Sequence, residues 1–186
     1  MEKSGIFIIA CLGNPGTKYA KNRHTVGFMI GELLARQSGI RLGGTSFQSL
    51  SGKGMLSGRD VLVMMPQSYM NLSGGPVRKA LDFYKVPPKR LVVIHDEIDL
   101  PFGRIAVKFG GGHRGHNGIR SIISEVGTAD FHRIRFGVGR PDHPEIEVAD
   151  YVLSDFSREE LARIGELMPQ IEEHLAGILT GGEDGD

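Results

Sequence analysis

The sequence predicts an α/β fold built on a largely parallel or mixed sheet. Three observations carry this reading. Short apolar runs of strand length occur at 6–12, 61–65 and 91–94. Between and after them lie segments whose apolar residues keep helical spacing. No linker and no internal repeat divides the 186 residues, a length that one domain with a sizeable core accommodates. A single domain over 1–186 is the expectation.

The elements follow in order. Residues 6–12 are short and apolar, and Gly13-Asn14-Pro15-Gly16 ends them, as for a buried strand. The run lacks a small-residue cleavage pattern, so it reads as a strand rather than a signal peptide. His24 opens a helix through Val26, Met29, Ile30, Leu33 and Leu34 that stops near Gly39. Two strands, 47–56 and 61–65, flank the turn residues Ser57-Gly58-Arg59-Asp60. A helix over 76–84 has Ser73 as candidate cap and Pro87-Pro88 beyond its end. Strands at 91–94, 105–109 and 134–138 enclose a helix at 118–126. Ser157-Arg158-Glu159-Glu160 is a capping box opening one long helix to Leu179. The Gly- and acid-rich residues 180–186 read as a frayed tail.

Composition narrows the class. Apolar content of 40% and charge of 24% are those of a soluble globular chain, and nothing approaches a membrane span. Cys11 is the only cysteine, so no internal disulfide forms; it reads as core, and its solitude fits a reducing cytoplasm. Net charge is zero, but its distribution is not even. Residues 1–144 hold 20 of the 22 Lys+Arg and 10 Asp+Glu, whereas 145–186 hold 2 and 12. The basic part can attract a polyanion, although a solvated surface with an acidic C-terminal helix fits the same numbers.

Three loops far apart in the chain each carry an asparagine: Leu12-Gly13-Asn14-Pro15-Gly16, Met70-Asn71-Leu72-Ser73-Gly74 and Gly115-His116-Asn117-Gly118. His24 follows the first, and His95-Asp96-Glu97-Ile98-Asp99 supplies carboxylates. In open α/β sheets the loops beyond strand carboxyl ends build the site, and Asn14, Asp96 and the residues after Met65 fall there.

Three chemistries compete for these residues. Gly110, Gly112 and Gly115 satisfy Gly-x-Gly-x-x-Gly, with Asp130 placed 20 residues on. That acid precedes a strand instead of ending one, and the match sits mid-chain, against a dinucleotide site. A metal could take His95, Asp96, Glu97, Asp99, His113 and His116, but His113-x-x-His116 lies in a glycine-rich loop and no strong zinc spacing is present. A metal-free hydrolase needs a neutral histidine to take a proton from water and a carboxylate to orient it. His24 with Asp96 supplies that pair, and Asn14, Asn71 and Asn117 supply amides for a peptide-like substrate and its oxyanion.

The combination resembles the bacterial-type peptidyl-tRNA hydrolases. The matching stretches are the Asn14 loop with Tyr19 and Arg23-His24, then Met70 to Gly74, His95-Asp96-Glu97 and Asp99-Leu100-Pro101. Lys108 with Gly110 to Gly112, Gly115 to Gly118, Arg133-Ile134-Arg135-Phe136-Gly137-Val138-Gly139 and Tyr151-Val152-Leu153-Ser154 complete the series. The resemblance implies a three-layer sandwich around a twisted mixed sheet, monomeric and cytoplasmic. It implies hydrolysis of the ester joining peptide to tRNA, recycling tRNA after aborted translation, with no metal or organic cofactor. By resemblance His24 is the water-activating base, Asp96 its partner, and Asn14 acts with them. Tyr19, Met70, Asn71, His116 and Asn117 meet the substrate, and Lys108 and Arg135 clamp the tRNA 5′-phosphate. A relative that kept the fold and lost catalysis would bind RNA only.

This chain also departs from the family's pattern. Thr25 stands where asparagine is common. Arg114 replaces a frequent glycine and is a further candidate phosphate contact. After Arg140 the segment is acidic, with Asp142, Glu145 and Glu147 in place of further cations.

Overall fold

The computed structural model describes residues 5–181. Six strands form one sheet in the order β2-β3-β1-β4-β6-β5. They are β1 Phe7–Cys11, β2 Ser49–Leu56, β3 Arg59–Pro66, β4 Leu91–Glu97, β5 Ile105–Phe109 and β6 His132–Gly137. The four central strands, β3, β1, β4 and β6, run parallel. The edge strands β2 and β5 pair antiparallel to their neighbours. Central strands covered on both faces read as unbroken apolar runs, which is why Phe7–Cys11 and the first residues of β4 carry no polar alternation.

Helices cover both faces. One layer holds α1 Val26–Gln37, α5 Arg158–Glu166 and α6 Met168–Gly181; the other holds α2 Gly74–Tyr84 and α3 Asn117–Val126. Phe7, Ile9 and Cys11 face the first layer, and Ile8, Ala10 and Leu12 face the second. Cys11 is fully buried, and burial pushes its thiol up to about 12, as suits a core residue. The adjacent strands β1 and β3 send α1 and α2 to opposite faces, which parts their loops at the carboxyl edge. The glycine-rich fingerprint joins β5 to α3, but β5 lies antiparallel to β6. That is not the parallel strand–helix–strand unit a dinucleotide site requires.

Several expected elements differ. The long C-terminal helix is two. Pro169 has no N–H to return to the carbonyl of Gly165, so the chain steps through Leu167, whose own carbonyl accepts from Gln170 and Ile171. The capping box at Ser157 and Glu160 is present. Ser73 does not cap α2: its buried hydroxyl donates to the Met70 carbonyl, and Gly74 N–H is met by Ser121 Oγ from α3 instead. Phe47 and Gln48 lie in left-handed backbone, so β2 begins at Ser49. A short helix, α4 Val148–Val152, was not expected. Five residues are too few to show a helical period. Thr180 closes α6 by donating to the Ala176 carbonyl, and 182–186 of the expected tail lie outside the described residues.

One close approach sets α1 against the sheet. Gly27 faces the backbone where β1 and β4 end. A Cβ there would strike the Leu12 carbonyl and sit 2.6 Å from the Ile94 carbonyl. Backbone cannot yield as a side-chain end can. Gly27→Ala is therefore expected to cost ~2 kcal/mol or more. Wild-type stability of that variant in denaturant titration would show that α1 does not sit this close.

Candidate active site

The site gathers where β1 and β4 end. Asp96 is the sixth residue of β4 and is 3% exposed. Each of its oxygens accepts one imidazole hydrogen bond at 2.8 Å: Oδ2 from His24 Nδ1 and Oδ1 from His116 Nε2. A carboxylate here can only accept, so each of these ring nitrogens carries a proton. His24 therefore keeps Nε2 as its lone-pair nitrogen. His116 keeps Nδ1, which accepts from the backbone N–H groups of Gly118 and Ile119 and so caps α3. The sequence offered His116 as a substrate contact; the structure adds that it anchors Asp96.

The electrostatics follow from burial and proximity. Burial alone would lower the His24 value, but the Asp96 charge and its hydrogen bond outweigh it and raise it above the ordinary histidine value. Burial would raise Asp96, yet His24 and His116 hold it well below the usual carboxylate range. His95 is pushed down to about 3, first by burial and then by neighbouring His116. Its Nδ1–H donates to the Asp96 carbonyl at 2.8 Å, and its ring packs edge-on against His116.

Local sequence explains the His24 position. His24 sits in a short 3-10 turn, Arg23–Thr25, just before α1. Arg23 locks this turn to the segment before α5. Its guanidinium donates to the Ser154 hydroxyl and the Asp155 carbonyl at 2.7 Å each, pairs with Glu160, and lies over the rings of Tyr151 and Phe156. Nothing in the spacing of Arg23 announced that work; it shows only once 154–160 is folded beside it.

Asn14 lies in the β1 loop, 8% exposed. Its Oδ1 accepts the Met70 N–H at 2.7 Å, which ties the first asparagine loop to the second and leaves the Asn14 NH₂ as a donor. Asn71 and Asn117 are exposed, and neither side chain makes a hydrogen bond among the described residues. Met70 is buried, and Tyr19 meets Tyr69 edge-to-face. A cavity of about 220 Å³ is lined by His24, Asp96, His116 and Asn117, by Arg114 on its glycine loop, and by Val148 and Val152 of α4. The α4 wall is the part of the site that the sequence reading missed.

Of the candidate phosphate contacts, Arg114 lines this cavity and Lys108 and Arg135 do not. Lys108 on β5 pairs across from Arg133 on β6, and Arg135, two residues on from Arg133, lies between Ala106 of β5 and His95 of β4, so the three cations share one face of β5 and β6. Arg135 is 3.8 Å from Glu97. Arg133 is buried and turned inward: it donates to the carbonyls of Gly111 and Gly112 at 2.6 and 2.7 Å, holding the glycine-rich loop. Arg114 is exposed and 3.8 Å from Asp99, which also accepts from Arg140 at 2.7 Å. The expected excess of charge at Arg114 is thus partly neutralised.

Among the described residues, His24, Asp96 and His116 bring their ligand atoms within 4.8 Å of one another. The nitrogens that face Asp96 are its hydrogen-bond donors, and the second nitrogen of His116 serves the α3 amides. This geometry serves proton chemistry better than metal ligation. His113 does not join His116; its Nδ1 accepts from Gly115.

A family model described as peptidyl-tRNA hydrolase matches residues 8–185. The chain belongs to the peptidyl-tRNA hydrolase family. The peptidyl-tRNA hydrolase of Geobacter sulfurreducens is 46% identical over 175 residues, 94% of this chain and 90% of that one. That of Frankia alni is 43% identical over 96% of this chain and 90% of its own. The crystal structure of the Acinetobacter baumannii peptidyl-tRNA hydrolase superposes with a TM-score of 0.88 at 37% identity, over 98% of this chain and 92% of that one. The likeness thus extends over almost the whole of this peptidyl-tRNA hydrolase family member and of each relative.

The coupling of His24 to Asp96 has a direct readout. NMR titration should place His24 above the ordinary histidine value. In Asp96→Asn the raising causes vanish while burial remains, so the value should fall. An unmoved titration would show that Asp96 does not set the proton affinity of His24. For stability, the raised His24 contributes fully below its unfolded value, and this contribution is lost as pH rises through its folded value. The depressed Asp96 contributes above its unfolded value and loses that contribution as pH falls.

Proposed function

We propose that the chain hydrolyses the ester joining a peptide to the terminal ribose of tRNA, with His24 as the base that activates water. The observation that carries this reading is the His24–Asp96 bond, which leaves Nε2 of His24 as the one lone-pair nitrogen of that ring, in a cavity that the exposed Asn117 also lines.

Water loses a proton to His24 Nε2 as its oxygen bonds to the ester carbonyl carbon. The Asn14 NH₂, whose carbonyl end is held by Met70, stabilises the oxyanion. The carbon–oxygen bond to ribose breaks, and the imidazolium returns its proton to the departing ribose oxygen. Asp96 stabilises the imidazolium between these steps. Asn71 and Asn117 hold the peptide and terminal ribose, and Tyr19, Met70 and His116 line the bound substrate. Lys108 and Arg135 grip the 5′-phosphate, a contact that positions without reading bases. Arg114, at the cavity mouth beside Arg140, adds a contact to the acceptor end. Family membership and the similarity of the whole fold support this assignment. The route needs no metal, and a monomer working in the cytoplasm fits it. No described helix is long and apolar enough to cross a membrane.

Purified protein in EDTA should release N-acetyl-amino acid from charged tRNA. His24→Ala should lower the turnover by ~10²–10⁴ while tRNA binding persists. A folded His24→Ala with near-native turnover would remove His24 from the mechanism. Tight tRNA binding without any release by wild type would leave a binding protein.

Lys108→Ala and Arg135→Ala should each raise KM for 5′-phosphorylated tRNA and flatten the salt dependence by roughly one contact. A short N-acetyl-aminoacyl oligonucleotide without that phosphate should be spared. Equal damage to both substrates would place these cations elsewhere.

A further inference from the structure

We propose that Thr25 is a positioning residue that holds the Asn14 carboxamide in register with the His24 ring. Thr25 directly follows His24 in the chain and is 2% exposed. Its hydroxyl donates to Asn22 Oδ1 at 2.9 Å and accepts the backbone N–H of Asn14 at 3.3 Å. The residue occupies the N-cap position of α1, where a threonine hydroxyl ordinarily accepts from amides of the first helical turn. It makes no such bond here. The hydroxyl joins two loops instead of capping its own helix.

The far end of the link is itself anchored. Asn22 is 1% exposed, its backbone bridges to Asp155, and its carbonyl accepts the Thr25 N–H at 3.0 Å. Asn14 therefore has two supports. Thr25 holds its backbone N–H, and Met70 N–H holds its side-chain oxygen. With the first support gone, the Asn14 loop pivots about the second, and the NH₂ loses its aim. His24 itself is held by Asp96, so the hydroxyl acts on Asn14 and not on the base. Valine fills the same volume but offers neither proton nor lone pair, leaving the buried Asn14 N–H and Asn22 Oδ1 unmet.

This inference rests on the proposed hydrolysis. The test is a double-mutant cycle of Thr25→Val with Asn14→Ala on N-acetyl-aminoacyl-tRNA. Thr25→Val should lower kcat by roughly 10- to 100-fold with little change in KM, because misaimed groups cost rate more than binding. Thr25→Ser should restore most of the loss. In the Asn14→Ala background Thr25→Val should change kcat no further, and the acid limb of the pH–rate profile should stay where it is. Equal fractional losses in both backgrounds, or a wild-type rate for Thr25→Val, overturn the proposal. If Thr25→Val does not fold, amide exchange in wild-type protein decides: Asn14 N–H should exchange slowly, and exchange as fast as an exposed loop overturns it. Failure of the wild type to release amino acid would sink the proposed hydrolysis, and the exchange measurement would still show whether Thr25 holds Asn14.

Discussion

The carboxylate of Asp96 is buried at the end of a central strand, and it stays charged because two imidazoles face it from different parts of the chain. An unpaired carboxylate at this depth would be costly. Both ring contacts at 2.8 Å use one oxygen each. Each also removes a freedom: His24 is left with a lone pair on Nε2, and His116 with one on Nδ1. The second of these is spent on capping α3. One acid thus sets the tautomer of a candidate base and helps to seat a helix, so the geometry of the site and local stability share an origin.

That arrangement requires helices to approach the sheet closely at its carboxyl edge. Gly27 lets α1 meet the backbone of Leu12 and Ile94, which brings the His24 turn beside β4. At Gly118 of α3 a Cβ would instead meet side-chain ends, Met70 Sδ at 2.6 Å and Leu12 Cδ1 at 2.9 Å. The three asparagine loops are then joined without being covered. Asn14 is tied to Met70, whereas Asn71 and Asn117 stay exposed. Supports come from outside the cavity as well: Arg23 holds the His24 turn, and Arg133 holds the glycine-rich loop. Both are cations whose charge is spent on carbonyl groups and rings rather than displayed to solvent.

Legibility varied with the range of the interaction. Strand runs such as 61–65 and 91–94 showed in hydropathy because strands covered on both faces must be apolar. β4 continues to Glu97, and its last residues escaped that signal because they are polar site residues, His95 and Asp96, buried with partners. The break at Leu167 follows from Pro169, a local signal, whereas the capping box marks only where the first of the two helices begins. Ser73 has the sequence of a cap, but Ser121 of α3 takes the role, a choice that only helix packing makes. Arg114, a candidate phosphate contact by sequence, lies 3.8 Å from Asp99, since the β4–β5 loop folds back toward the glycine loop.

The sequence by itself determined the α/β class, the alternation of elements and the set of polar loops, because period, turn chemistry and burial are local properties of the chain. It also carried the family's ordered motifs. Tertiary structure alone decided which nitrogen of His24 keeps its lone pair, which end of the Asn14 carboxamide is already occupied, and why Thr25 forgoes its helix. Those choices depend on hydrogen bonds between residues 11, 56 and 72 positions apart. No local pattern encodes such a bond, because its geometry exists only after the sheet has set the loops side by side.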